Sequence, residues 1–264
     1  MIKIAVLTGY GINCEEETAY AFGLAGGKAK IVHINDLVEK IKSLEDFRIL
    51  VFPGGFSYGD DTGSGNAYAN KVKNHLWDQV ISFVKKDKLV IGICNGFQIM
   101  VNLGLLPALG GNFGRREVAL THNKKVRYLD RWVDLKNGNG SHWLDGIEEI
   151  SLPIAHGEGR FYAEEKVLNE IKKKKLIALR YVRGEMCQYQ DLEANPNGSV
   201  EDIAAISNES GRILGMMPHP ERAIFFHHLP NWSWLKEKYE REGKKIPEFG
   251  PGLKIFKNGI NYFK

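Results

Sequence analysis

The sequence has few cysteines, no long apolar run and no strong excess of either charge, and each of these absences excludes a class of protein. The three cysteines, Cys14, Cys94 and Cys187, are odd in number and far apart in 264 residues. A disulfide framework is therefore not expected, whereas a reducing, cytoplasmic setting is. No apolar run approaches the roughly 18 to 20 residues that a membrane-spanning helix needs. With 36 basic and 32 acidic residues the net charge is +4, too balanced to predict a nucleic-acid surface. We expect neither a membrane nor a nucleic-acid partner.

Glycine, in contrast, is abundant and clustered. The chain has 29 glycines, and most clusters directly follow a short apolar run, as at Gly54-Gly55 and at Gly92 and Gly96. A glycine after a strand marks a turn with positive φ or a backbone that another group approaches closely. This distribution favours an enzyme whose site is lined by backbone.

Short apolar runs alternate with helical patterns through the first hundred residues. Strands are predicted at residues 2–7, 29–33, 48–52 and 89–93, the first and last of them buried, and helices at 15–24, 37–42, within 67–85 and at 96–103. The alternation predicts an α/β fold with a flavodoxin-like, doubly wound, mostly parallel sheet flanked by helices. In such a sheet ligands bind beyond the carboxyl ends of the strands, where the glycine clusters fall.

The second half has fewer helical patterns and more turns. Strands predicted at 151–154, 176–182, 203–207 and 213–217 indicate antiparallel additions to the sheet in the C-terminal half. We see no linker and expect a single domain over residues 1–264. Residues 231–264 form an extended tail in which Trp232 and Trp234 lie among mixed charges. These tryptophans indicate either a partner contact or a cover for the chain's own core.

The strand at 89–93 runs into Gly92-Ile-Cys94-Asn-Gly96, the pattern of a nucleophile elbow with sulfur in place of oxygen. The flanking glycines allow a sharp, strained turn, which we expect to project the Cys94 thiol into solvent at the edge of the sheet. The turn also places Cys94 at a helix N-terminus, which favours the thiolate. The alternative is a small buried cysteine, the interpretation that we keep for Cys14 and Cys187.

A nucleophilic thiolate needs a base, and among the eight histidines the sequence around His219 fits that role best. It stands in Pro218-His-Pro-Glu221, just after a predicted strand, where the prolines favour extended backbone. Two positions apart on extended backbone, His219 and Glu221 would point to the same side. Glu221 would then accept from one ring nitrogen while the other nitrogen faces Cys94.

Backbone N–H groups of Asn95 and Gly55 are the candidates for an oxyanion hole. Asn95 directly follows the nucleophile, and Gly54-Gly55 ends the strand at 48–52. A tight turn that needs two glycines for steric reasons is the competing explanation for Gly54 and Gly55.

Five segments spread through the chain carry a resemblance to a known family. They are Pro53-Gly-Gly-Phe-Ser-Tyr-Gly-Asp60, Gly92-Ile-Cys-Asn-Gly-Phe-Gln98, Ala155-His-Gly-Glu-Gly-Arg160, Asn195-Pro-Asn-Gly-Ser199 and Met217-Pro-His-Pro-Glu-Arg222. Together they resemble the class I, triad-type glutamine amidotransferases. Within that family they are most similar to the glutaminase subunits of phosphoribosylformylglycinamidine synthases, enzymes of purine biosynthesis. The likeness extends over most of the chain.

The resemblance implies a reaction at Cys94. Cys94 attacks the side-chain amide of glutamine, His219 protonates the leaving ammonia, and water activated by His219 hydrolyses the γ-glutamyl thioester. The resemblance also implies contacts with the bound glutamine, from Gly54, Phe56, Gln98, His156, Gly157 and Glu158.

The resemblance further implies a synthetase partner, with an additional small subunit possible. Ammonia would be channelled to that partner, where ATP and Mg²⁺ support conversion of formylglycinamide ribonucleotide to the amidine. The chain has no phosphate-loop motif and no constellation of Mg²⁺ ligands. We therefore expect no cofactor and no metal on this chain.

Three other classes stay open. One is an amidotransferase that serves a synthetase of guanylate, cytidine triphosphate or carbamoyl phosphate, which the purine-type segments disfavour. Another is a cysteine-elbow hydrolase or stress protein of similar fold, in which a glutamate among residues 15–17 would stand near the cysteine and His219 would be dispensable. The third is a catalytically silent binding module.

Overall fold

Two apolar runs in the first half of the chain form strands that are buried along their whole length. Every residue of Ile49–Phe52 and of Leu89–Ile93 is buried, as in parallel strands covered by helices on both faces. The computed structural model describes residues 1–138 and 140–264. Within these residues the strands are β1 (Lys3–Thr8), β2 (Lys28–His33), β3 (Ile49–Phe52), β4 (Leu89–Ile93), β5 (Val118–Thr121), β6 (Leu129–Asn137), β7 (Glu149–His156), β8 (Arg160–Ala163), β9 (Ile177–Val182), β10 (Ile203–Ser207) and β11 (Ile213–Met216).

The helices of the described part lie mostly in the N-terminal half and at the C-terminus. They are α1 (Glu15–Leu24), α2 (Ile34–Val38), α3 (Asn66–His75), α4 (Trp77–Val84), α5 (Asn95–Asn102), α6 (Glu165–Lys173), α7 (Glu185–Gln190), α8 (Trp232–Arg241) and α9 (Leu253–Asn261). None of these described helices has the length and apolar character that crossing a membrane requires.

One large sheet has a parallel half and an antiparallel half. Its strand order in the described part is β2-β1-β3-β4-β11-β10-β9-β6-β7, and β5 pairs separately with β8. Neighbours are parallel from β2 to β11 and antiparallel from β11 to β7. The order β2-β1-β3-β4-β11 is that of flavodoxin-like sheets. The predicted fold class, with antiparallel additions from the C-terminal half, is confirmed.

Two predicted helices have different bounds in the structure. The helix predicted at 37–42 is wrong in position, because α2 begins directly after β2, where His33 Nδ1 accepts from the Asn35 N–H at 3.1 Å and caps the helix. The long helix predicted within 67–85 is divided into α3 and α4. The division falls at Leu76, a buried residue with φ of −126° and ψ of 3°.

The strands β5, β6 and β8 and the helix α7 are not evident in the sequence. β6 reads Leu-Asp-Arg-Trp-Val-Asp-Leu-Lys-Asn and carries a buried carboxylate, Asp134. That carboxylate accepts the N–H groups of Gly184, Met186 and Cys187 at 3.1, 3.1 and 2.8 Å, which fixes the start of α7. The start of α7 is therefore fixed by Asp134, a residue much earlier in the chain.

The C-terminal tail contains two helices in different environments. In α9, Leu253, Phe256 and Ile260 are buried in the core. In α8, within the described structure, no residue is buried, and Trp232 and Trp234 are 39% and 56% exposed. The tail therefore contributes to the core through α9. Trp232 and Trp234, for which both explanations were open, are not buried, and a partner contact stays a prediction for them.

Candidate active site

Four parallel neighbours, β1, β3, β4 and β11, deliver the predicted site residues to one edge of the sheet. The segments that follow their carboxyl ends contain Cys14, Gly55, Cys94 and His219. Because parallel strands end at the same edge, residues that are distant in the chain meet there.

Cys94 occupies a strained turn between β4 and α5. Its φ of 50° and ψ of −107° lie outside the regions that side-chain-bearing residues normally adopt. The turn requires both flanking glycines. A Cβ on Gly96 would lie 1.7 Å from the Phe52 carbonyl oxygen, and one on Gly92 would lie 2.4 Å from Met100 Sδ. Cys94 is thereby held at the amino end of α5.

The Cys94 thiol does not project into bulk solvent, contrary to the expectation from the sequence. Cys94 is only 5% exposed, and its sulfur lies 3.6 Å from the carbonyl oxygen of Ala155. Ala155 belongs to β7, a strand of the antiparallel half that local sequence patterns do not bring to the elbow. Cys94 lines a cavity of about 240 Å³.

His219 and Glu221 form a buried pair next to Cys94. His219 Nδ1 lies 2.5 Å from Glu221 Oε1, and both side chains are buried. Burial by itself would lower the pKa of His219, but attraction by the Glu221 carboxylate and the Cys94 sulfur raises it well above its ordinary value. An Nδ1–H held by Glu221 leaves Nε2 to exchange a proton with the thiol. Within the described residues, Nε2 has no hydrogen-bond partner.

The backbone that produces this pair differs from the prediction. His219 is extended, with φ of −103° and ψ of 91°, and its N–H donates to the Pro153 carbonyl oxygen at 2.8 Å. Glu221 lies in a 3₁₀ turn, Pro220–Ala223, where continued extended backbone was expected. Pro220 starts the turn because its fixed φ suits the first helical position. The turn brings the carboxylate to the imidazole.

A second cysteine, expected from the sequence to be only structural, lies beside the pair. Cys14 is fully buried, and its sulfur accepts from Arg222 Nη2 at 3.2 Å. One ligand atom from each of Cys14, His219 and Glu221 lies within 4.8 Å of the others, which is the spacing of metal ligands. Two contacts disfavour a cation there: the Arg222 guanidinium adjoins the sulfur, and Glu221 Oε1 already contacts His219. The absence of a bound metal stays a prediction.

Gly55, predicted as the second oxyanion donor, has a steric reason to be glycine. Its φ is +150°, and a Cβ there would lie 2.6 Å from the Gly11 carbonyl oxygen. The Phe56 N–H donates to that same oxygen at 2.7 Å, which holds the two loops together. Gly55 lines the cavity together with Cys94, and Asn95 begins α5. The oxyanion roles of both N–H groups stay predictions.

Most of the glutamine contacts that the resemblance implies lie around one cavity. Its lining includes Phe56, Gln98, His156, Gly157 and Glu158. Gly54 lies instead against His219, since a Cβ on Gly54 would be 2.9 Å from the ring Cε1. The cavity lining also includes five residues that were not predicted as contacts, namely Asp60, Ser64, His122, Tyr128 and Ala155.

Hydrogen bonds tie one wall of this cavity to the elbow. Asn95 Nδ2 donates to Gln98 Oε1 at 2.9 Å, and Gln98 Nε2 donates to the Glu158 carbonyl oxygen at 2.5 Å. Asn95 Nδ2 also lies 3.2 Å from Asp60 Oδ1. Since both ends of its amide are engaged by the protein, Gln98 fixes the position of the turn that carries Glu158.

His156 is held as a neutral ring by Asn123, a residue that no motif indicated. Asn123 Nδ2 donates to the carbonyl oxygens of Arg127 and His156, both at 2.8 Å, so the Asn123 atom at 3.0 Å from His156 Nδ1 is the oxygen. Nδ1 therefore carries the ring proton, and Nε2 is an acceptor. Burial lowers the pKa of His156 to about 3, which keeps the ring neutral.

The whole chain matches one protein family. Residues 1–263 match the family model described as the CobB/CobQ-like glutamine amidotransferase domain. The chain belongs to this family of glutamine amidotransferases.

Two relatives from different organisms share one name. The phosphoribosylformylglycinamidine synthase subunit PurQ of Methanococcus maripaludis is 50% identical over 264 residues, which cover 99% of this chain and 97% of the relative. The protein of the same name from Dehalococcoides mccartyi is 40% identical over 263 residues, with 99% and 97% covered. The structure of PurLQS from Thermotoga maritima matches with a TM-score of 0.71 and 29% identity, over 100% of this chain and 99% of that one. The family predicted from the five segments is confirmed.

Proposed function

We propose that this chain is the glutaminase subunit of phosphoribosylformylglycinamidine synthase. It hydrolyses glutamine and supplies ammonia to a synthetase subunit, which converts formylglycinamide ribonucleotide to the amidine in purine biosynthesis. The observation that carries the proposal is the strained Cys94 beside the His219–Glu221 pair, in a chain that matches PurQ subunits over its full length.

The geometry supports a reaction in two halves. His219 Nε2 takes the thiol proton, the Cys94 sulfur attacks the side-chain carbonyl carbon of glutamine, and the N–H groups of Asn95 and Gly55 stabilise the oxyanion. His219 then returns the proton to the leaving nitrogen, so ammonia departs and a γ-glutamyl thioester remains. In the second half His219 takes a proton from water, which attacks the thioester and releases glutamate and the free thiol. Glu221 orients the ring and stabilises its charged form throughout.

We propose that the chemistry of ATP and Mg²⁺ belongs to the synthetase partner. The related structure from Thermotoga maritima is of PurLQS, which supports a PurL-type synthetase and a PurS-type small subunit as partners of this chain. The exposed Trp232 and Trp234 of α8 are the proposed contact on the tail. Neither a nucleic acid nor a membrane takes part in this proposal.

We also propose that residues 1–264 act as one amidotransferase domain in the cytoplasm. All three cysteines are free thiols, and a reducing compartment keeps the Cys94 thiol available for attack.

The proposal is tested by reconstitution. The chain is mixed with the synthetase and small subunits of its own organism, together with formylglycinamide ribonucleotide, ATP and Mg²⁺. Amidine formation is then expected to use glutamine as its nitrogen source. Without the chain, the synthetase is expected to respond to free ammonia only. The complex is assayed because a docked partner often completes such a site. The chain is also mixed with the synthetases that aminate xanthylate and uridine triphosphate. If it supports glutamine-dependent amination there but not of formylglycinamide ribonucleotide, it belongs to another synthetase.

A further inference from the structure

A second cavity lies in the antiparallel half of the sheet, away from Cys94. It has a volume of about 330 Å³ and is formed by parts of β6 and β7, the start of α7 and the segment around Asn231 that leads into α8. Ile150 of β7 lines it, whereas Ala155 and His156 at the other end of the same strand line the active-site cavity. Five residues of extended strand span about 17 Å, so the two cavities are distinct.

The charged residues that line this second cavity are all acidic. They are Asp134, Glu149 and Glu185, and none of the described lining residues is a lysine, arginine or histidine. Asp134 is satisfied by protein donors, since Ser151 Oγ donates to it at 2.7 Å in addition to the N–H groups at the start of α7. Glu149 and Glu185 are exposed, and within the described part neither forms an ion pair, although Lys136 stands opposite Glu149 in the ladder of β6 and β7.

An unpartnered acceptor in the same cavity points independently to a ligand that brings a donor. Asn231 lines the cavity and is only 2% exposed. Its Nδ2 donates to Glu185 Oε1 at 3.3 Å, which identifies the other amide atom as the oxygen. That oxygen, Oδ1, is buried and has no hydrogen-bond partner among the described residues. A buried acceptor without a donor is destabilising, so its presence in an acidic cavity indicates that a ligand supplies the donor.

Asn231 also does not make the bond that its position in the chain offers. It directly precedes α8, where an asparagine oxygen normally caps the helix by accepting from one of the first backbone N–H groups. Its main-chain carbonyl accepts from the Leu235 N–H at 3.0 Å, but its side chain makes no capping bond. The amide is held instead by Glu185, so Oδ1 is available to a ligand in the cavity.

Most of the remaining lining is apolar and suits an aliphatic stem. The apolar residues are Leu135, Ile150, Met186, Leu229, Leu235 and Pro251. Lysine and arginine combine an aliphatic stem with a cationic head that donates several hydrogen bonds. Glu185 and Asn231 are joined by a hydrogen bond, so one such head can contact both while its stem packs against the apolar residues.

The cavity adjoins the two exposed tryptophans of the tail. Leu235 of α8 lines the cavity, and Trp232 and Trp234 belong to the same helix. Tryptophans and basic side chains seated in pockets are typical of the contacts that dominate the binding energy of an interface. We propose that this cavity receives a lysine or arginine side chain of the synthetase subunit, whose cationic head binds Glu185 and Asn231 Oδ1 when α8 docks. The inference rests on the proposed function, because that function supplies the partner.

The test measures the dissociation constant, Kd, of the chain for the synthetase and small subunits. In Glu185→Gln, and separately in Asn231→Leu, we expect Kd to rise about 10-fold, the effect of losing a hydrogen bond to a charged group. At saturating synthetase the glutamine-dependent rate should stay at the wild-type value, because neither residue lines the active-site cavity. Asn231→Leu should not lower the unfolding temperature of the chain alone, because the oxygen that it removes is buried without a partner.

Asp191→Asn is the matched control. Asp191 directly follows α7, the helix that carries Glu185, and it is exposed and does not line the cavity. Its left-handed backbone, with φ of 51°, also suits asparagine. This variant removes one negative charge nearby and should bind the synthetase with the wild-type Kd.

The inference is overturned if Glu185→Gln and Asn231→Leu bind the synthetase as tightly as the wild type, or if Asp191→Asn weakens binding as much as they do. Titration of the chain alone with agmatine, a guanidinium on a four-carbon stem, distinguishes the source of the cation. Agmatine binding that Glu185→Gln abolishes, together with unchanged affinity for the synthetase, would replace the partner's side chain by a free amine. A wild-type chain that binds no synthetase would overturn the proposed function, and this inference with it.

Discussion

Replacing Cys94 by alanine is expected to abolish glutamine-dependent amidine formation by the reconstituted synthase. Without the sulfur no thioester forms, and loss of a covalent nucleophile from a triad costs roughly 10⁴-fold or more in rate. The measurement is the rate of amidine formation at saturating glutamine and ATP.

The same Cys94→Ala complex is expected to run at the wild-type rate when free ammonia is supplied, because only the source of ammonia is lost. Cys187→Ala is the matched control. Cys187 is likewise buried and free, but it lies in α7, where its N–H is bound by Asp134, and its replacement should leave glutamine use intact. A Cys94→Ala complex that also fails with ammonia would contradict the division of labour between the subunits.

Replacing Glu221 by glutamine is expected to lower the glutamine-dependent rate on the order of 10³- to 10⁴-fold, as when the orienting carboxylate of a triad becomes an amide. It should also change the pH dependence. Burial lowers the pKa of His219, and Glu221 is the stronger of the attractions that raise it above its ordinary value. Without that carboxylate the pKa of His219 falls, so the imidazolium loses its proton at a lower pH.

His219 must be neutral to take the thiol proton, so the acidic limb of kcat/KM for glutamine should accordingly move to lower pH in Glu221→Gln, measured between about pH 5 and 10. Glu39→Gln, which removes the charge of an exposed glutamate, should leave both rate and profile unchanged. A reduced rate with an unmoved acidic limb would mean that Glu221 orients the ring without setting its charge.

The parallel half of the fold can be predicted from sequence because its information is local. β4 is a uniformly buried apolar run with the predicted bounds, and β3, also buried throughout, begins one residue after its predicted start. β6 could not be found in this way, because it carries charged residues and because its buried Asp134 is satisfied by backbone from α7. β5 and β8 are four residues each and pair only with one another in the described part, so they lack the continuous apolar run on which the other predictions depend.

The site residues likewise differ in whether local sequence or the assembled sheet specifies their contacts. The Cys94 turn is specified by glycines within two residues of it, and the His219–Glu221 contact joins residues two apart, although through a 3₁₀ turn that the flanking prolines did not reveal. The contact of Arg222 with Cys14 joins residues 208 positions apart and depends on the assembled sheet. A signal for Cys14 did exist, since it follows the glycines after β1 at the same sheet edge. No sequence pattern indicated that Asn123 would contact a residue of the site.

Labelling with a glutamine analogue that carries a chloroketone in place of the carboxamide tests most directly whether His219 activates the Cys94 thiol. The reconstituted synthase is treated with the analogue, and mass spectrometry follows the peptides that contain Cys14, Cys94 and Cys187. We expect a single adduct, on Cys94, that excess glutamine prevents and that forms roughly 100-fold more slowly in His219→Asn. An adduct on Cys14 or Cys187 instead, or equal rates with and without His219, would contradict the account.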